Sequence, residues 1–293
     1  MMNKTTLFKK LILDPEILIL PGAYDAVSAK IIEQAGFKAV TLGGYPTSAS
    51  LLGKPDVSLL TLTEIVTHTR NIAEAVDIPV FTDGDTGHGN VPNVIRTVRE
   101  FEKAGAAGLF IEDQLFPKRC GHMEGKQVIP TEEMIPKIKA AVDARTDPDF
   151  VIMARTDALA IYGIEEAIER SNRYREAGAD LIFVEAPTSK EEMLRINREV
   201  KAPTLTIQLE GGKTPLLTAK ELEAIGFNVV VFPISALYAA SWAVRRVMEE
   251  LISKGTTKDL VGQMIPFSEF NQLIGLNEIR EKEASYYKDL LKG

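Results

Sequence analysis

The chain has 293 residues, more than an ordinary domain of about 150 and suited either to two such domains or to one large α/β barrel. Apolar residues make up 45% and charged residues 26%, the usage of a folded protein with a sizeable core, which excludes a disordered chain. The net charge of −7, with lysines and arginines spread among acids, gives no basis for nucleic-acid binding, and no stretch reaches the ~18 uninterrupted apolar residues of a membrane helix.

The N-terminus opens with Lys4, Lys9 and Lys10 ahead of an apolar run, but Asp14, Pro15 and Glu16 break that run too early for a secretory signal. Residues 1–16 are expected to form an N-terminal helix. A single cysteine cannot make an internal disulfide, so a reducing cytoplasm is the expected location. ILILPGAYD (17–25) reads as a buried strand and AVSAKIIEQAG (26–36) as a helix closed by Gly36. The unit then repeats. KAVTLGG precedes LTEIVTHTRNIAEAV, PVFTDGD precedes NVPNVIRTVREFEKAG, GLFIED precedes PTEEMIPKIKAAVDAR, and FVIMARTD precedes IEEAIERSNRYREAG. LIFVEA with SKEEMLRINREV, TLTIQLEG with TAKELEAIG, and NVVVFPI with LYAASWAVRRVMEELISKG complete eight strand-helix units.

Strands apolar throughout, each followed by a helix, imply a parallel sheet covered by helices. A doubly wound open sheet uses the same units, but no GxGxxG follows the first strand and the count is eight, so a TIM-type (β/α)₈ barrel is expected over a single domain, 1–293. Residues 257–293 read as two or three short amphipathic helices, an apolar tail that needs a surface to bury it, and a partner subunit is one such surface.

Active-site residues of such a barrel lie at the C-terminal strand ends. Read in order, those ends supply Gly43 and Gly44, Asp83 and Asp85, Glu112 and Asp113, Arg155 and Asp157, then Glu185 and Glu210. Carboxylates gathered on one rim repel one another unless a cation or an anionic ligand organises them, and Mg²⁺, which favours oxygen ligands and keeps waters, is the simplest solution. Taken singly, Asp113 and Asp157 read better as helix caps facing water. Asp83 and Asp85 share one side of a strand beside Gly84, Gly87 and Gly89, which leave room for close approach.

After EDQLFP comes KRCGHMEGK, within a loop of about fifteen residues, a length common in lids and binding loops. A lone cysteine is usually a small buried apolar residue. Here Lys118, Arg119 and His122 are expected to lower the Cys120 thiol pKa toward thiolate, Gly121 permits a ligand to approach, and Arg119 is the candidate bidentate partner of a substrate carboxylate. Cys120 and His122 alone do not make a zinc site. His68, inside a helix, reads as a surface or boundary residue; His88, in the glycine-rich turn, either touches ligand or orders the loop.

KRCGH after IEDQ, the DGDTG turn, MARTDA and VEAP together resemble the isocitrate lyase and phosphoenolpyruvate mutase superfamily, over about 22–255 and most closely its 2-methylisocitrate and 2,3-dimethylmalate lyases. The resemblance implies a (β/α)₈ barrel whose last helix is swapped between subunits, in a homotetramer built from two such dimers. It implies Asp83 as the direct Mg²⁺ ligand (Mn²⁺ being an alternative ion), with Asp56, Asp85 and Glu112 holding its waters. Arg155 with the backbone of Gly43 and Gly44 would bind the α-keto acid half of a small carboxylate substrate. Cys120 would be the acid/base, and Arg119, Gly121, His122 and Glu185 would hold the carboxylate half. The implied reaction is retro-aldol cleavage of a 2-methyl-2-hydroxy acid to pyruvate and succinate or propionate.

The chain departs from this pattern at three places. Thr41 and Gly43 stand where many of the lyases have tyrosine and serine, with Tyr45 nearby to compensate. Met123 follows KRCGH in place of arginine, and Ile207, beside Gln208, falls where a carboxylate-binding asparagine is expected. Fewer polar groups on that side suggest a substrate with one fewer carboxylate, such as 2,3-dimethylmalate, and the choice between it and 2-methylisocitrate stays open at this point. Phosphonomutase or oxaloacetate decarboxylase chemistry, which needs the metal but not the thiol, and a non-catalytic carboxylate-binding barrel are the alternatives.

Overall fold

In the computed structural model, residues 2–287 are described. The strands are β1 (Leu18–Pro21), β2 (Val40–Leu42), β3 (Val80–Asp83), β4 (Gly108–Glu112), β5 (Val151–Thr156), β6 (Leu181–Val184), β7 (Thr204–Ile207) and β8 (Val229–Phe232). All pair in parallel in the order β1-β8-β7-β6-β5-β4-β3-β2, and a bridge between Gly22 and Thr41 joins the two ends. That is the closed (β/α)₈ barrel the eight repeats predict.

The helices outside are α1 (Lys4–Ile12), α2 (Ala26–Gln34), α3 (Gly44–Leu52), α4 (Leu62–Ala75), α5 (Val91–Lys103), α6 (Thr131–Ala144), α7 (Leu159–Tyr162), α8 (Ile164–Glu176), α9 (Lys190–Glu199) and α10 (Ala219–Ile225); α11 (Ser235–Lys254) starts after β8 and runs into the second unit. A 3₁₀ turn (Lys258–Gln263), α12 (Phe267–Leu273) and α13 (Leu276–Tyr287) follow. Two compact units form, 1–237, which holds the barrel, and 238–293. No described helix is long and apolar enough to cross a membrane. Helix α3, which starts directly from the Gly43–Gly44 turn and has little amphipathic pattern, is an element the sequence pattern did not single out.

The helices begin where short polar side chains satisfy their first N–H groups. Asp25, Thr61 and Thr218 each accept from the backbone N–H three residues on. Gly226 closes α10 at φ 114°, a left-handed conformation that costs a side-chain-bearing residue but not glycine.

The barrel interior is an apolar layer of Leu18, Leu20, Phe81, Phe110, Met153, Phe183, Leu205 and Val231. Helix α1 belongs to the same cluster: Phe8 is fully buried and stacks on Phe81 at 5.2 Å between ring centroids. Side chains alternate along a strand, so the residues two beyond Phe81, Phe110, Met153 and Phe183 keep the inward direction one layer higher. Those residues are Asp83, Glu112, Arg155 and Glu185. The apolar layer thus carries an ionic one at the C-terminal ends of the strands, and the register sets Glu112 of β4 directly beside Arg155 of β5.

Candidate active site

Beyond β3 the chain leaves the sheet through Gly84 and Asp85, the latter at φ 50°. Asp83 is fixed by two backbone donors, Oδ2 accepting from Gly44 N and Oδ1 from Asp85 N, each at 2.8 Å. The N-terminus of α3 packs so closely here that a Cβ on Gly44 would lie 3.0 Å from both Asp83 Oδ2 and Asp56 Oδ2 and 2.9 Å from Lys118 Nζ. Gly44 is therefore required for this approach. Lys118 enters the nest from the cysteine loop, its ammonium 2.9 Å from Asp56 Oδ1 and 2.7 Å from Asp85 Oδ1, with the side chain only 3% exposed. Burial would lower the Lys118 pKa, but Asp85, Asp83, Glu112 and Asp56 together hold it well above the usual lysine value. Burial pushes the Asp56, Asp85 and Glu112 carboxyls up.

Four acids around one ammonium leave a net negative nest. Asp85 Oδ1 and Glu112 Oε1 are buried without a hydrogen-bond partner; the Lys118 contact to Asp85 is an ion pair lacking hydrogen-bond alignment. Among the described residues no three acid, histidine or cysteine side chains converge tightly enough to grip an ion directly. The donor set fits a hard divalent ion that keeps most of its waters.

Beside this nest lies Arg155, which reaches three acids: Nε to Asp157 Oδ2 at 2.9 Å, Nη1 to Glu112 Oε2 at 3.3 Å and Nη2 to Glu185 Oε2 at 3.1 Å. Its guanidinium also lies 5.4 Å over the Phe183 ring. Asp113 and Asp157 do not cap helices into water. Both are fully buried. Asp113 faces outward from β4 toward α8, where it accepts from Thr156 Oγ1 (2.8 Å), Asp157 N (2.9 Å), Arg170 Nη1 (3.1 Å) and Tyr174 Oη (2.8 Å). Burial would raise the Asp157 pKa, but Arg155 and Lys126 hold that carboxyl below its usual value.

The cysteine loop folds over this rim. Gln114 grips the Arg119 backbone with both ends of its amide, donating to the carbonyl at 2.8 Å and accepting from the N–H at 2.9 Å. Gly121 lies against the ion pairs so tightly that a Cβ there would meet Glu185 Cδ at 2.3 Å and Arg155 Nη2 at 2.4 Å. His122 Nδ1 accepts from Lys213 N at 3.1 Å, and its Nε2 is 3.3 Å from Glu185 Oε1. Both Glu185 oxygens nonetheless lack an aligned hydrogen bond, which leaves acceptors pointing into the site. Cys120 is half-buried. Burial pushes its thiol up, the His122 N–H counters this and Glu185 adds to it. The neighbouring basic residues therefore do not lower the thiol toward the expected thiolate; burial shifts it the opposite way.

The remaining candidates divide. Gly43 caps α3 and Tyr45 lies in its first turn, beside Gly44. Arg119 is exposed, its Nη1 donating to Glu124 O at 3.2 Å, so Lys118 rather than Arg119 brings its charge into the site. Gln208, directly after β7, is fully buried and its Oε1 accepts from Leu217 N at 2.6 Å. Ile207, with the opposite strand direction, packs on the barrel interior. Glu210 is taken by the Ser235 hydroxyl. His68 is buried and bonds through Nε2 to Tyr24 O at 2.9 Å, contrary to the surface reading. His88 Nε2 is buried with no partner among the described residues, and burial lowers its pKa to about 4.

The fold and this ionic rim define a barrel enzyme that works at the strand ends. The profile of the family described as phosphoenolpyruvate phosphomutase matches residues 8–252. The chain is 50% identical over 285 residues to a 2,3-dimethylmalate lyase of Eubacterium barkeri, covering 97% of this chain and 99% of that one. To a 2-methylisocitrate lyase of Aeropyrum pernix it is 44% identical over 276 residues, covering 94% and 89%. A solved oxaloacetate acetylhydrolase bound to 3,3-difluorooxalacetate superposes with a TM-score of 0.92 at 33% identity, covering 97% of each chain. The chain belongs to the phosphoenolpyruvate mutase/isocitrate lyase superfamily and is a lyase of it.

Proposed function

We propose that this lyase splits a 2-methyl-2-hydroxy dicarboxylate of the 2,3-dimethylmalate type into pyruvate and propionate, with Mg²⁺ (or Mn²⁺) as its ion. The observation that carries the reading is the placement of a half-buried thiol, its pKa pushed up by burial, in a loop seated on the Arg155–Glu185 pair. Asp83 would hold the ion, with Asp56, Asp85 and Glu112 reached through its waters. The ion would supply neutralisation of charge on the substrate's 2-oxygen.

Arg155 binds and orients the carboxylate next to the hydroxyl-bearing carbon, aided by the backbone at Gly43 and Gly44. The 2-hydroxyl passes its proton to the unpaired Glu112 Oε1 as its oxygen closes the C2=O bond, the C2–C3 bond breaks, and its electron pair passes to C3, where the adjacent carboxylate spreads the charge. The Cys120 thiol donates its proton to C3. His122, Glu185 and the Gly121 backbone hold that half of the substrate and keep water from the carbanion. Ile207 supports the choice of substrate: an apolar side chain at the top of the barrel interior offers a third carboxylate nothing to bind.

Cleavage of oxaloacetate is the second reading, favoured by the oxaloacetate acetylhydrolase neighbour. Pyruvate release, followed by coupled lactate dehydrogenase, separates the readings: release from 2,3-dimethylmalate supports the first, and acetate with oxalate from oxaloacetate alone supports the second. For the assembly, a helix-swapped tetramer of cytoplasmic enzyme fits the exposed apolar side chains of Trp242, Val244, Ile252, Val261 and Phe267. Light scattering tests it, a monomer mass being the contrary result.

A further inference from the structure

Lys126 has no part in the chemistry above, yet its side chain is only 3% exposed and ends against the fully buried Asp157. Its ammonium donates to Asp157 Oδ1 at 2.7 Å and to the carbonyl of Gly121. Asp157 is already engaged. Its Oδ2 accepts from Arg155 Nε at 2.9 Å, its Oδ1 from Arg155 Nη2 at 3.1 Å, and its own N–H is tied to Asp113 Oδ1 at 2.9 Å. Asp113 in turn is held by Arg170 and Tyr174 of α8. One rigid carboxylate therefore orients the substrate-binding guanidinium and anchors the cysteine loop.

A buried ammonium is costly unless its donors are met; the bond to Asp157 needs the loop in its seated position, while the bond to the Gly121 carbonyl lies within the loop and carries that anchor to the segment next to Cys120. We infer that Lys126 is a positioning residue that latches the Cys120 loop to Asp157, so that seating the thiol and orienting Arg155 are one event. With the loop lifted, Lys126 returns to water and Asp157 keeps Arg155 as its one remaining side-chain partner among the described residues; with it seated, Gly121 is drawn down onto Arg155 and Glu185. The inference rests on Cys120 and Arg155 working in one site but not on which substrate they cleave.

The chain's single cysteine makes the test direct, because alkylation of Cys120 reads loop opening without turnover. Purified full-length wild type, Lys126→Met and Lys126→Arg are treated with iodoacetamide, with and without Mg²⁺ plus oxalate, and the adduct is followed by mass spectrometry. Lys126→Met is expected to react roughly tenfold faster than wild type in both conditions, the effect of losing one charged hydrogen bond. Lys126→Arg should restore the rate to within about threefold, since a cation of similar reach keeps the contact. Hydrogen exchange in Lys126→Met should rise over 117–126 and not in α8, and activity should fall through both kcat and KM. Wild-type alkylation in Lys126→Met, or faster exchange spread through the barrel, would overturn the latch. Lysine-to-methionine protein that does not fold is replaced by Lys126→Gln, read in the same way.

Discussion

Adding one methyl group at Gly121 tests how tightly the loop must sit. A Cβ there would lie 2.3 Å from Glu185 Cδ, 2.4 Å from Arg155 Nη2 and 2.5 Å from Glu185 Cγ, while ordinary contact starts at 3.4 Å. Relief requires a movement of 3.4 − 2.3 = 1.1 Å. Glu185 and Arg155 are poor candidates to move, since their side chains are 1% and 8% exposed and the guanidinium is pinned by Glu112, Asp157 and Phe183. The loop therefore retreats by about that distance. A displacement of ~1 Å in a reacting group costs about 100-fold, so kcat/KM for pyruvate release in Gly121→Ala should fall by about that factor. Stability should change by less than the ~1–3 kcal/mol of an overpacked core, because a loop absorbs the strain. Cys120 alkylation should quicken. Wild-type kcat/KM, or a fall of several kcal/mol with the thiol still protected, would refute the reasoning.

Cys120→Ser should leave the melting temperature near wild type and lower kcat by about 10²- to 10⁴-fold, the contribution of a positioned proton donor; wild-type turnover would remove the thiol from the mechanism. Burial raises the thiol pKa, so the donor form persists as pH climbs through neutrality and is lost only above the free-thiol range near 8.5; an alkylation profile with a midpoint below that value would contradict the assignment. Arg155→Met strips the shared cation from Glu112, Asp157 and Glu185, and urea unfolding should show a loss of about 3–5 kcal/mol. Burial lowers the His68 pKa, so its contribution to stability is whole above about 6.5 and is lost as pH falls through the folded value; His68→Gln should flatten the stability profile between pH 7 and 5, and an unchanged profile would sink the point.

The barrel was legible because the strands are largely apolar and several helices end in a glycine, as at Gly36, Gly105, Gly178 and Gly226, so local pattern and global fold agree. Strand-end position brought out Asp83, Glu112, Arg155 and Glu185, and the further signal that separates them from Asp113 and Asp157 is period-two alternation, since each stands two residues beyond an interior aromatic or methionine. The loop was less legible. Three basic residues beside Cys120 in sequence suggested thiolate, but Gln114 holds the Arg119 backbone so that Arg119 points to solvent while Lys118 turns into the carboxylate nest. Charge along the chain did not report charge in space. Asp113 and Asp157 misled for a related reason: the donors that make their burial tolerable, Arg170, Tyr174 and Lys126, come from segments 57, 61 and 31 residues away.

The measurement closest to the central claim is pyruvate release from 2,3-dimethylmalate and from 2-methylisocitrate, side by side, in Mg²⁺ and in EDTA. The expected result is release from 2,3-dimethylmalate that EDTA abolishes and added Mg²⁺ restores, with 2-methylisocitrate cleaved far more slowly. Release from neither acid in Mg²⁺, or release indifferent to EDTA, would contradict it.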